Sequence, residues 1–167
     1  MEIVIDCDVE YGGDGLDAQL RFLFGEVFPS SINMPWVDLG ITLTINDDWT
    51  VELGAYYYLA HLALFADELE RLHQTMEGIA LLDDWDNNPV ITFKPSSGGH
   101  GMIAITGKHP RYLQLLNEGD GEPICDAEGA VVVIAFQGLR VHRNDLPPII
   151  AQFRQALQEI AARESHS

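Results

Sequence analysis

Carboxylates are the most abundant reactive groups in this chain: 26 Asp and Glu against 9 Lys and Arg among 167 residues, a formal charge of −17. Asp6, Asp8 and Glu10 repeat at the spacing that opens a calcium loop, but Tyr11 stands where the sharp turn of that loop needs glycine. Asp83, Asp84 and Asp86 fall in a turn-rich stretch, where clustered acid is expected to be solvated. The histidines at 61, 73, 100, 109, 142 and 166 show neither a metalloprotease HExxH nor a paired zinc spacing. His61 and His73 are expected on helix flanks. No GxSxG elbow is present, and Gly107-Lys108 lacks the following Ser or Thr and the earlier glycine of a phosphate loop. Ser96-Ser97-Gly98-Gly99-His100 brings hydroxyls near an imidazole, although its glycines suit a hairpin turn. Cys7 is expected to be buried and inert, and Cys125 has acidic neighbours that disfavour a thiolate. No catalytic residue, metal site or cofactor is predicted, and the expectation is a protein that is not an enzyme.

What remains is where the charge sits. Residues up to Glu70 hold 14 acids and one cation, Arg21, for −13; Arg71 to Ser167 hold 12 acids and 8 cations, for −4. Phe22 to Glu70 contains no Lys or Arg. Such a balance counts strongly against a protein that grips nucleic-acid phosphates and against one that binds an anionic membrane surface. Concentrated like charge destabilises a compact chain unless something selects for it. Two explanations compete: solubility, or a surface that recruits a basic protein partner.

The elements that carry these acids are read from periodicity. Ile3, Ile5, Cys7 and Val9 alternate with polar neighbours, as do Ala18, Leu20, Phe22 and Phe24. Gly25 to Pro35 reads as a connection. Val37, Leu39, Ile41, Leu43 and Ile45 form the cleanest strand face; after an Asn46-Asp47-Asp48 turn, Trp49, Val51, Leu53, Ala55 and Tyr57 continue inward. That alternation belongs to antiparallel sheets with one covered and one wet face. The wet face carries Asp6, Asp8, Asp17, Asp38 and Glu52, with Asp47 and Asp48 at the adjacent turn. If the strands are neighbours, these form an anionic patch interrupted by Arg21 alone. They are the predicted partner-binding residues. Leu62, Phe65, Leu69, Leu72 and Met76 predict a helix over about 60–77, closed by Gly78 at C′. Val90–Lys94 and Met102–Thr106 predict a hairpin, Lys108–Gly129 an irregular connection, and Val131–Phe136 a central strand. Leu146, Ile149, Ile150, Phe153, Leu157 and Ile160 stripe a helix over about 145–162, with Pro147 and Pro148 in its first turn. The fold class is therefore α+β: one domain over 1–167, mainly an antiparallel sheet of about 7–8 strands with two amphipathic helices.

From the first helix onward the sequence resembles a known family. The run from Phe65 to Leu82, with its Thr75-x-x-Gly78, then Val90-Ile-Thr-Phe-Lys, Gly99-His-Gly-Met-Ile-Ala-Ile-Thr-Gly, Val132-Val-Ile-Ala-Phe and Leu146-Pro-Pro-Ile-Ile, is similar to the bacterial WapI-type immunity proteins. The resemblance spans about Val37 to Leu157. It implies a non-enzymatic binding protein that neutralises a polymorphic toxin, often a basic nuclease, and it implies no catalytic residue. With no targeting segment at the N-terminus and no apolar run of about 20 residues, the expected location is the cytoplasm. Two alternatives stand beside it. One is a small enzyme or ligand-binding domain using the Gly99-His100 loop and Asp83–Asp86. The other is an assembly subunit, which exposed sheet aromatics such as Trp36 or Tyr56 would favour.

Overall fold

The computed structural model describes residues 1–9, 17–29, 35–47, 49–97, 101–113 and 130–164. Its chain order is β1 (Glu2–Val9), β2 (Asp17–Phe28), β3 (Trp36–Ile45), β4 (Trp49–Glu52), β5 (Ala55–Tyr58), α1 (Leu59–Thr75), β6 (Ala80–Asp83), β7 (Pro89–Pro95), β8 (Met102–Leu113), β9 (Ala130–His142), a short 3-10 turn (Arg143–Asp145) and α2 (Leu146–Glu164). The nine strands form one sheet in the order β4-β3-β2-β1-β9-β8-β7-β6, with β5 also pairing β3. All the pairings are antiparallel. This is an α+β fold.

Period-two patterning decides which face is covered. Ile3, Ile5 and Cys7 on β1, Ala18, Leu20, Phe22 and Phe24 on β2, and Val37, Leu39, Ile41 and Leu43 on β3 are all buried. A one-residue slip would turn every one of these side chains to water, so the pattern fixes the register. The two helices pack on each other and against this side of the sheet. Phe153 of α2 is the hub: its ring meets Phe22 at 5.2 Å, Phe65 at 5.4 Å and Phe24 at 6.1 Å, all edge-to-face. On the outer face of the helix pair, Arg154 donates to Asp67 and Glu70 and ties α2 to α1. Asp67 thus partners Arg154 across the helices rather than Arg71 within its own; Arg71 lies 4.0 Å from Glu68.

Four expectations are revised. The chain from Gly25 to Phe28 is strand, continuing β2 past a bulge between Phe24 and Val27. Lys108 to Leu113 is strand too, because β8 carries on along β9 past a second bulge. Gly107 permits that continuation: a Cβ there would lie 2.2 Å from the Phe136 ring. At the end of α1 the left-handed residue is Met76 (φ 54°), whose N–H bonds Leu72 O at 2.9 Å, and Gly78 (φ 86°) instead turns the chain into β6. Trp49, expected inward, is 75% exposed because it begins a four-residue edge strand at the hairpin's end.

The sheet curls far enough for its ends to meet. Trp85, just past β6, donates its backbone N–H to Tyr56 O on β5 at 2.9 Å. Across this seam Trp36, Tyr56 and Trp85 touch, with ring centroids 4.7–5.9 Å apart, and Phe28 stacks on Trp36 at 4.0 Å. No described helix is long and apolar enough to cross a membrane.

Candidate functional site

The strands that carry the predicted acids are neighbours, in the order β4-β3-β2-β1. Their register puts Asp8 opposite Asp17 on one side and opposite Arg140 of β9 on the other. Asp6 pairs with Gln19, which pairs with Thr44. Beyond Arg140, β1 and β9 share no further described pair towards Asp6 and His142. At that opening lies a concave pocket of about 700 Å³. Its wall includes Asp6, Asp8 and Asp17 from β1 and β2, Asp47 from the β3–β4 turn, and Asp145 from the 3-10 turn before α2. Arg140 and His142 complete it. Five aspartates against one arginine give a formal −4 with His142 neutral.

Local structure holds the rim in place. Asn46 (φ 50°) and Asp47 (φ 59°) adopt the left-handed conformation that Asn and Asp tolerate in tight turns. Asn46 grips the start of β2 from both sides: its N–H donates to Asp17 O, and its Oδ1 accepts from Asp17 N–H, each at 2.9 Å. Gln19 Nε2 donates to Asp6 Oδ1 at 2.9 Å, and Arg21 Nη2 donates to Gln19 Oε1 at 2.7 Å. Arg21 also lies 3.6 Å from Glu2. The lone cation of the first seventy residues is therefore engaged with Glu2 and Gln19, a strand row or more from Asp8 and Asp17. His142 Nδ1 accepts from Asn144 N–H at 3.2 Å and so holds the chain's entry into α2. Beneath the rim, burial pushes the Cys7 thiol up to about 12, with Asp6 and Asp8 adding to the shift. Such a thiol is no nucleophile at neutral pH.

Not every predicted acid joins this pocket. Asp6, Asp8, Asp17 and Asp47 do. Glu52 lies on the same face opposite Thr42, in the row of Arg21. Asp38 sits opposite Tyr56, six positions along β3 from Thr44, a separation of about 20 Å at 3.3 Å per residue. Asp48 lies outside the described residues. The face is thus two acidic regions rather than one continuous patch, with Val4, Arg21 and Leu23 between them. Arg140, His142 and Asp145 were missing from the predicted set. The alternation of Leu139 and Val141 with Arg140 and His142 was the available signal, obscured by Gly138 (φ 87°), which reads as a break.

The alternative sites fare differently. Asp84 is buried rather than solvated, and its carboxylate accepts from the backbone N–H groups of Asp86 and Asn88 at 2.9 and 2.8 Å and from the Asn88 side chain. That geometry closes a turn. The Gly99-His100 loop lies outside the described residues. Among the described residues no group of three or more His, Cys, Asp or Glu is arranged to hold a metal. Comparison with known protein families, with curated proteins and with solved structures finds no match to this chain.

Proposed function

We propose that this chain is a non-enzymatic binding protein whose acidic sheet face receives a basic protein partner, as an immunity protein receives a basic toxin. One observation carries the reading: a pocket of about 700 Å³ lined by Asp6, Asp8, Asp17, Asp47 and Asp145, with a single arginine in its wall. Acids placed only for solubility would be dispersed over the surface. Here Asp8 and Asp17 stand directly opposite on adjacent strands, an arrangement that weakens a sheet. A concave surface with a strong excess of one sign focuses the field and speeds the encounter with an oppositely charged partner. The interior of the pocket suits Lys or Arg side chains, which would find carboxylates on several walls at once.

The test is stopped-flow association with the C-terminal domain of a secreted protein encoded beside this chain's gene. Between roughly 50 and 300 mM salt the rate should fall about tenfold or more. Replacing Asp6, Asp8 and Asp17 together with Asn should remove most of that dependence. Association that ignores salt, or no association at all, would overturn the proposal.

A further inference from the structure

The seam where β5 meets the end of β6 carries more aromatic surface than closure requires. Tyr56 is 41% and Trp85 43% exposed, and Leu23, on the same outer face, is 57% exposed. Between Leu23 and the rings, Gly25 and Gly40 carry no side chain and leave Asp38 flanked by backbone. Gly40 pairs with Leu23, and a Cβ on Gly25 would press within 3.2 Å of Asp38 O and 3.4 Å of its Oδ2. The two glycines leave a shallow trough with the Asp38 carboxylate in its floor, beside Tyr56. That carboxylate has no hydrogen bond or ion pair among the described residues, and the sequence from Phe22 to Glu70 offers it no Lys or Arg.

We infer that this trough receives an arginine side chain of the protein partner, its guanidinium stacked on the exposed Tyr56 ring, beside Trp85, and paired with Asp38, which lies opposite Tyr56 on the neighbouring strand. The inference rests on the basic-partner reading and adds a second contact point about 20 Å along β3 from the pocket. Charge selects the occupant. A second copy of this chain carries −17 and would set acid against Asp38. A neutral apolar segment would bury the carboxylate without a partner, which is costly. Arginine satisfies both halves of the surface. Its planar cation stacks on indole and phenol faces, and its fork of N–H donors matches a carboxylate. Lysine offers a point charge and no plane.

The three tryptophans make the test direct, because Trp36 and Trp85 report the trough while Trp49, next to the Asp47 turn, reports the pocket side. The indole N–H signals of the 15N-labelled full chain are followed during titration with hexa-arginine, hexa-lysine and hexa-citrulline peptides. Hexa-arginine should move Trp36 and Trp85 with an affinity about three- to fivefold above hexa-lysine, and hexa-citrulline should move neither. Asp38→Asn should cost at least about fivefold at these two signals, while joint Asn replacement of Asp6, Asp8 and Asp17 leaves them responsive. Equal responses to arginine and lysine, or an unaltered response in Asp38→Asn, would overturn the inference. A peptide that moves Trp49 alone would overturn the trough and leave the acidic pocket standing; a silent spectrum would overturn both.

Discussion

If Asp17 is placed for a partner rather than for the fold, removing its charge should strengthen the free protein. Asp17 faces Asp8 across two paired strands, and its carboxylate makes no hydrogen bond or ion pair among the described residues. The clamp from Asn46 engages only its backbone, so Asp17→Asn keeps every contact seen. Like charges about 5–6 Å apart in a water-like medium repel by about 0.7–0.8 kcal/mol, and opposed cross-strand pairs of one sign cost roughly 0.2–1 kcal/mol. Asp17→Asn should therefore gain about 0.5 kcal/mol, a rise in Tm of about 1–2 °C for a domain of this size. In about 0.5 M salt the screening length is near 4 Å and most of the gain should vanish. Asp8→Asn is the internal control. Asp8 lies between Asp17 and Arg140, so one lost repulsion and one lost attraction nearly cancel. Thermal unfolding of both variants at low and high salt measures the difference. A lower Tm for Asp17→Asn at low salt, or a gain that persists in high salt, would refute the electrostatic reasoning.

Two further outcomes concern the core and the thiol. Phe153→Ala removes the ring that joins Phe22, Phe24 and Phe65 and should cost about 3–5 kcal/mol in urea unfolding; a loss below about 1 kcal/mol would show that the helices pack elsewhere. Burial holds the Cys7 thiol protonated, moving it from 9.0 to about 12. A raised value favours the folded state fully below 9.0, and that contribution is lost as pH climbs from 9.0 towards about 12. Burial and the nearby Asp84 raise the Tyr57 phenol in the same direction. Stability measured by urea should fall steeply over that alkaline window. In a Cys125→Ser background a thiol reagent at about pH 8 should react only after unfolding. Ready labelling of the native chain would contradict the burial.

The strands most legible in the sequence are those with one wet face, β1 to β3, because alternation there records burial one residue at a time. Helix stripes such as Leu62, Phe65, Leu69 and Leu72 were equally plain. The distal half of β8 was not: Lys108, His109 and Pro110 look like a loop, and only pairing with Ala135, Ile134 and Val133 makes them strand. Trp49 misled because its type favours burial while its place at a hairpin end does not. Asp6, Asp8, Asp17 and Asp47 could be named and, on an assumed strand order, grouped; the addition of Arg140, His142 and Asp145 could not be read. Arg140 and His142 reach the pocket through pairing of β1 with β9, a contact between residues more than a hundred positions apart that no local pattern encodes. The separation of Asp38 from Asp17 likewise depends on register along β3, and the exposure of Tyr56 and Trp85 on how far the sheet curls.

The two-sided hold of Asn46 on Asp17 bears on how any guest is met. Because the turn is fastened to the neighbouring strand before anything arrives, the carboxylates at 17 and 47 start from backbone positions already set. Docking there surrenders little conformational freedom on this side of the contact. On the proposed reading, discrimination would come from shape and rigidity, as in a lock cut in advance, and most of the adaptation would fall to the visitor.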